Sequence, residues 1–123
     1  MTDRFERDLL RGSLDLMVLS VLAEEPRYGY ALQQKIRESS QDQIQLPAGT
    51  LYPLLHKLEN EGWIRSSWDE STGRKRKWYE LTKSGKKRLE TQASQWHRYV
   101  GTIRGLLDGI VPEPKATRQG WNL

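Results

Sequence analysis

Apolar residues recur along the first part of the chain with the spacing of amphipathic helices. In the segment 13–24 they form one helical face, made of Leu14, Met17, Val18, Val21 and Leu22. Ser13 is expected to be the N-cap of this helix, because a serine oxygen can accept a bond from an amide of the first turn. Pro26 ends the pattern. A second helix is predicted for about 28–38, with its inner side formed by Tyr28, Leu32 and Ile36.

A third helix is predicted within PAGTLYPLLHKLENEG, residues 47–62. Its core face carries leucines three and four positions apart, namely Leu51, Leu54, Leu55 and Leu58. If Thr50 is the N-cap, Pro53 lies in the first turn, where amides have no intrahelical acceptor. A start near Pro47 would instead require a kink at Pro53. Gly62 is expected to end the helix in the left-handed conformation.

The pattern then changes to strands and a long final helix. Residues 63–68 and 77–81 alternate between two sides, and the turn-rich DESTGRKR between them predicts a β-hairpin. Thr82 is expected to cap a helix over about 83–109. Its apolar residues are spaced as in a coiled-coil seam, which consists of Leu89, Ala93, Trp96, Val100, Ile103 and Leu107. The tail, 111–123, has two prolines and no periodicity, so we expect it to be mobile.

This order of elements predicts a mainly α fold with a small β-hairpin, namely a winged helix-turn-helix followed by a long C-terminal dimerisation helix. We assign residues 1–82 to a DNA-binding domain and 83–110 to the dimerisation helix. The connector at 39–46 is longer than the usual helix-turn-helix turn and fits winged variants. In so small a domain the seam has no other surface to cover. We therefore expect a homodimer, in which the seam packs against residues 9–24 of the partner, including Leu14 and Met17.

Positive charge is concentrated in one part of the chain. The net charge is +4, but residues 74–88 carry eight cations and one anion, so this segment has a charge of +7 and the remaining residues −3. Cations in the hairpin can contact backbone phosphates whatever the base sequence. Small and polar residues of the third helix can approach bases. The predicted DNA-binding residues are Tyr30, Gly49, Thr50, Tyr52, Pro53, His56, Lys57, Arg74, Lys75, Arg76 and Lys77.

The sequence contains no recognisable catalytic or metal-binding constellation. It has no cysteine, which excludes disulfides and thiolate metal sites, and a reducing cytoplasm is the expected location. No apolar run approaches the ~20 residues that a membrane span needs. His56 and His97 are too isolated to form a metal site, and we find no nucleophile–base set or glycine-rich phosphate loop. We therefore expect a protein that is not an enzyme and has no cofactor, metal or membrane partner.

Trp96 allows two interpretations. It can be part of a packed dimer core. Alternatively, it can be a platform on which a flat hydrophobic ligand stacks between the two copies, with Val100 and Leu14 as apolar walls.

Three segments together resemble the PadR family of bacterial transcriptional regulators. They are LLRGSLDLMVLSVLAEEPRYGYAL, LPAGTLYPLLHKLENEGWI and GRKRKWYELTKSGKKRLE, and the resemblance covers about residues 9–110. It implies a homodimeric winged-helix repressor of a palindromic or near-palindromic DNA operator, often released by a small aromatic or hydrophobic effector. The single C-terminal helix resembles the short subfamily. Multidrug-responsive members of that subfamily sandwich planar compounds with an aromatic residue of this helix, and Trp96 stands at the matching place.

Two other functions fit the same features. The chain could be a non-specific DNA-packaging protein that uses the same hairpin, or a winged-helix protein-interaction module without DNA binding. The sequence favours a sequence-specific regulator, because Thr50, Tyr52 and Lys57 carry groups that can bond to bases as well as to phosphates.

Overall fold

The computed structural model describes residues 13–112 and residue 114 of the chain. These residues form α1 (Leu14–Glu24), β1 (Arg27–Tyr28), α2 (Gly29–Ser39), α3 (Ala48–Asn60), β2 (Ile64–Asp69), β3 (Arg76–Leu81) and α4 (Lys83–Leu107). The mainly α architecture with a small hairpin is confirmed. Most of the tail that was expected to be mobile, 111–123, lies outside the described residues.

The chain divides into two compact units, residues up to Glu90 and residues from Thr91 onward. Because α4 begins at Lys83, its first turns belong to the first unit and the rest of the helix to the second. The functional boundary that we placed between residues 82 and 83 stays a prediction.

The core of the first unit is formed by the inner faces of α1, α2 and α3 and one side of the sheet. Its fully buried side chains are Val18, Leu19, Leu32, Leu51, Leu55, Leu58 and Ile64. Each such side chain contributes roughly 1.5–3 kcal/mol of hydrophobic free energy. The connector between α2 and α3 is tied to this core, since Leu46 is buried and its carbonyl accepts a bond from Gln33 Nε2 at 2.5 Å.

Helix α3 begins at the earlier of the two starts that the sequence left open. Pro47 is the N-cap and Thr50 is the third helical residue, so the start near Pro47 is confirmed and the alternative with Thr50 as the cap is not. Pro53 therefore lies inside the helix, and the carbonyl of Gly49 receives no bond from an amide four residues on. Gly49 is exposed, so water can satisfy this carbonyl at little cost.

The end of α3 is as predicted. Gly62 adopts a φ of +82°, which only glycine takes up without strain. The amide of Gly62 bonds to the Glu59 carbonyl at 2.9 Å, and the amide of Trp63 bonds to the Leu58 carbonyl at 3.1 Å. This pair of bonds is the Schellman arrangement, and it directs the chain into β2.

The sheet contains one strand more than the predicted hairpin. Strands β2 and β3 pair from Ile64 opposite Leu81 to Asp69 opposite Arg76, within one residue of the predicted ends. Strand β1 adds Tyr28 opposite Trp78 on the other edge of β3. The prediction that Tyr28 belongs to the second helix and its inner face is therefore wrong. A strand of two residues has no periodic signature, and the free edge of β3 determines its conformation.

Helix α4 starts with the predicted cap. Thr82 Oγ1 accepts a bond from the amide of Gly85 at 3.0 Å. Gly85 is buried, and a Cβ built on it would lie 1.9 Å from the carbonyl oxygen of Trp63. A glycine at this position therefore allows the first turn of α4 to approach the start of β2. The helix ends at Leu107, two residues before the predicted end.

Candidate nucleic-acid interface

Helix α3 presents a surface of small and polar residues to solvent. The six residues predicted to bind DNA here are all exposed, namely Gly49, Thr50, Tyr52, Pro53, His56 and Lys57. At 3.6 residues per turn, Gly49, Pro53 and His56 lie opposite the leucine face. Tyr52 and Lys57 lie at the two edges of this exposed surface. At Gly49 and Pro53 this surface has no long side chain, so the first turns of the helix can approach a groove closely.

The two edges of α3 contact different elements. Lys57 Nζ lies 3.1 Å from Asp15 Oδ2, in the first turn of α1. Tyr52 leans towards the start of α2, since a Cβ built on Gly29 would lie 2.5 Å from its hydroxyl oxygen. Exposed ion pairs contribute only about 0–1 kcal/mol, so Lys57 can exchange Asp15 for another partner at little cost.

The wing, which we define as the β2–β3 hairpin of residues 64–81, carries four consecutive cations at 74–77 that form no ion pair with the described residues. Among the described residues, no carboxylate oxygen lies within ion-pair distance of the four cations at 74–77. Lys75 Nζ and Lys77 Nζ lie 4.9 and 5.4 Å from the centre of a Trp68 ring. Arg76 Cζ lies 4.0 Å from the centre of the Tyr28 ring. Such contacts orient a cation without neutralising it, so it can still attract phosphate.

Tyr28 and Asp69 fix the turn of the wing, and the sequence analysis missed both. The Tyr28 hydroxyl donates to Asp69 Oδ2, and Asp69 Oδ1 accepts a bond from the amide of Ser71 at 2.9 Å. These bonds, Tyr28 first, lower the pKa of the Asp69 carboxyl, and the bond to Asp69 raises the pKa of Tyr28. An aspartate that opens a turn-rich stretch was the available signal. Its partner, 41 residues away, could not be found from local pattern.

A cavity of about 250 Å³ lies between the start of α2, one edge of α3 and the wing. We call it the tyrosine cavity, and its lining consists of Tyr28, Gly29, Tyr30, Ala31, Tyr52, Arg76, Lys77 and Tyr79. Four predicted site residues, Tyr30, Tyr52, Arg76 and Lys77, therefore meet at one place. Tyr30 also lines a larger cavity of about 530 Å³, between α2 and the connector that precedes α3.

The second unit exposes an apolar stripe that runs along α4 to Leu107 and continues into the turn after the helix. Its large exposed side chains are Trp96, Tyr99, Ile103, Leu106, Leu107, Ile110 and Val111. The ring centres of Trp96 and Tyr99 are 6.3 Å apart. The predicted seam residues Ala93 and Val100 are half-buried.

Three other residues predicted for the dimer interface belong to the first unit. Leu14, Met17 and Leu89 pack, partly buried, against the core of that unit. Residues 9–12, which were expected to contribute to the same interface, lie outside the described residues.

Within the described part of the chain, no group of three or more His, Cys, Asp or Glu residues is arranged to hold a metal ion. No helix in residues 13–112 is long and apolar enough to cross a bilayer. His56 and His97 are both exposed.

The comparison with known proteins identifies the family. Residues 18–91, more than half of the chain, match the profile of the transcriptional regulator PadR-like family. The chain belongs to the PadR-like family. A PadR family regulator from Eggerthella lenta DSM 2243 has a similar crystal structure, with a TM-score of 0.77 and 36% identity, and the match covers 88% of this chain and 93% of that one.

Two further relatives agree with this assignment. The structure of a transcriptional regulator from Clostridium thermocellum has a TM-score of 0.74 and 31% identity, over 80% of this chain and 96% of the other. A transcriptional regulator of Mycobacterium tuberculosis is 32% identical over 83 residues, which is 68% of this chain and 75% of the relative. The resemblance found in the sequence is therefore confirmed. The PadR-like chain is a DNA-binding transcriptional regulator, and family membership confirms that it is not an enzyme.

Proposed function

We propose that this PadR-like protein is a homodimeric repressor that binds a specific double-stranded DNA operator through α3 and the wing. The observation that carries the proposal is the exposed surface of α3 together with wing cations that form no ion pair with the described residues. The exposed side of α3, around Gly49, Pro53 and His56, can enter a groove, while the cations at 74–77 contact the flanking phosphates. A regulator of the chromosome acts in the cytoplasm, and we place the protein there.

The apolar stripe of α4 supports the dimer. Contiguous apolar surface of this kind is uncommon on a monomer and marks an interaction site. Trp96 and Ile103 keep the heptad spacing along the helix, which suits a second copy of the same helix. A two-fold dimer presents two α3 helices, which matches a palindromic operator.

Selection of bound fragments from random duplex DNA tests this function. We expect an enriched palindromic or near-palindromic motif, with half-sites about one helical turn, or a multiple of it, apart. Retention of DNA without a motif would favour the packaging alternative. Failure to retain any DNA would favour a protein-interaction module.

Lys57 is expected to contribute to discrimination between DNA sequences. Lys57→Ala should weaken binding to the selected site more than binding to random DNA, by about 1–3 kcal/mol, because it removes a group that can bond to a base. Fluorescence anisotropy at one fixed salt concentration measures both affinities. Asp15→Asn is the matched control, since it frees Lys57 without removing it, and should preserve discrimination. Equal losses on both DNAs for Lys57→Ala would make Lys57 a phosphate contact.

We also propose that the α4 stripe accepts a planar hydrophobic effector between the two protomers. Trp96 is 42% exposed in the single chain, so its ring is available to a partner or a ligand. A ligand that fits only when the two α3 helices are splayed would shift the population away from the DNA-binding spacing. The size of this population shift depends on how much more tightly the ligand binds the splayed dimer than the DNA-binding dimer.

Quenching of tryptophan fluorescence by planar dyes tests the effector site. We expect saturable quenching in the wild type and a large reduction in Trp96→Ala, because that ring would stack on the dye. The chain has five tryptophans, so Trp68→Phe, which removes an exposed ring of the wing, is the matched control and should retain dye binding. Equal dye binding by the wild type and Trp96→Ala would assign Trp96 to the packed dimer core.

A further inference from the structure

The outer end of the wing is tied to the start of α2 by one side chain. Strand β2 ends at Asp69, which lies opposite Arg76 at the start of β3. Tyr28, the residue before α2, pairs with Trp78 on the other edge of β3. The Tyr28 hydroxyl reaches across β3 and donates to Asp69 Oδ2, and this bond is partly shielded from solvent. Tyr28 thus connects the start of α2 to both strands of the wing.

Both members of this Tyr28–Asp69 pair also hold neighbouring parts of the wing. The Tyr28 ring lies 4.0 Å from Arg76 Cζ and meets the Trp78 ring edge-on, with ring centres 4.8 Å apart. Asp69 Oδ1 accepts a bond from the amide of Ser71 at 2.9 Å, so the carboxylate fixes the first residues of the loop 70–75. The pair therefore acts on the segment from which the wing cations project.

This end of the wing is difficult to order by itself. The four cations at 74–77 form no ion pair with the described residues, and their mutual repulsion opposes a compact loop. An isolated two-stranded hairpin is also only marginally stable in water. The Tyr28–Asp69 bond joins a hydroxyl to a charged acceptor, which is a strong class of hydrogen bond, and it opposes this tendency to disorder.

From these contacts we infer that Tyr28 and Asp69 are positioning residues, which hold the loop of the wing in its DNA-binding conformation before DNA is bound. The inference rests on the proposed DNA binding by the wing, but neither residue has to touch DNA. A loop that is already ordered loses less conformational entropy on association. The pair should therefore increase the affinity for DNA of any sequence without changing the number of phosphate contacts.

Relaxation of the ¹⁵N-labelled full chain tests the ordering of the loop without DNA. In the wild type, we expect order parameters for residues 70–75 close to those of rigid backbone, about 0.85, and in Tyr28→Phe a fall below about 0.6. This variant keeps the ring and removes only the hydroxyl. The paired residues of β2 and β3 should stay rigid, which shows that the fold is intact. A loop that is mobile in the wild type, or equally ordered in both proteins, would overturn the inference.

Asp69→Ala tests the pair with DNA, in a direction opposite to that of simple electrostatics. Removal of an anion beside the wing cations would by itself strengthen the attraction of DNA. We expect instead that the affinity falls about three- to tenfold, for the selected site and for random DNA alike, because the loop must now be ordered on binding. Glu70→Ala is the matched control, since it removes the same charge from the next, exposed residue, and it should bind at least as tightly as the wild type. Tighter binding by Asp69→Ala would overturn the inference.

Two further readouts separate positioning from direct contact and from structural damage. The double variant Tyr28→Phe/Asp69→Ala should bind DNA as weakly as Asp69→Ala alone, because both changes remove the same bond. Additive losses would instead make the Tyr28 hydroxyl a DNA contact. The slope of log affinity against log salt should equal that of the wild type, whereas a shallower slope would mean that the wing has lost its phosphate contacts. If the wild type binds no DNA, the proposed function fails, and the relaxation experiment still decides whether the pair orders the wing.

Discussion

The Ile103→Asp variant is expected to be a monomer at micromolar concentrations at which the wild type is a dimer. Ile103 lies within the exposed apolar stripe of α4, with Trp96 one heptad before it and Leu107 about one turn after it. In the proposed interface its side chain is enclosed by the partner helix. An aspartate there would be a buried charge without a counter-ion, which costs about 3–5 kcal/mol. Each substituted dimer carries the change twice, so the dissociation constant of the dimer should rise by at least about 10²-fold.

Light scattering across a dilution series measures this change. Ser94→Asp is the matched control, because it adds the same charge to an exposed residue that the helical spacing places on the side of α4 opposite Ile103. That variant should remain a dimer. A monomeric wild type, or equal dissociation of both variants, would contradict the proposed interface. Loss of the dimer should also abolish the preference for a palindromic site, because a single protomer carries one α3 helix.

The sequence predicted best those features that depend on local repetition. The leucines of α3 could be assigned to the core because burial of one helix face leaves a spacing of three and four residues. Gly62 could be assigned to the helix end because few other residues tolerate its positive φ. The wing cations could also be predicted from the sequence, because the charge of each residue is known without the fold.

Features that depend on distant partners were not predictable in the same way. Tyr28 sits at helical spacing from Leu32, yet it forms a strand because the edge of β3 is available to it. The sequence could not choose between the two starts of α3, because the choice depends on the exposure of the Gly49 carbonyl, which makes a proline inside the helix tolerable. Tyr79 looked like an ordinary inward residue of a strand. Only the fold brings its hydroxyl to the same cavity as Tyr52 and the start of α2.

The wing is expected to contribute affinity for DNA of any sequence. Replacement of Arg74 and Arg76 together by alanine should weaken binding to the selected site and to random DNA alike, by about 100-fold, because two charge-assisted bonds to phosphate are lost. The slope of log affinity against log salt should also become shallower, by about 0.9 for each lost phosphate contact. Both quantities come from anisotropy titrations at several salt concentrations.

A control of equal charge separates direct contact from general attraction. Lys86 and Lys87 lie in the same basic segment but on α4, where both are exposed. Replacing both by alanine also removes two positive charges but leaves the wing unchanged. The slope of log affinity against log salt should therefore change by much less than in the Arg74 and Arg76 variant. Similar losses for both double variants would mean that the basic segment attracts DNA only through its net field. An unchanged slope for the Arg74 and Arg76 variant would remove the wing from the interface and leave α3 as the remaining proposed contact.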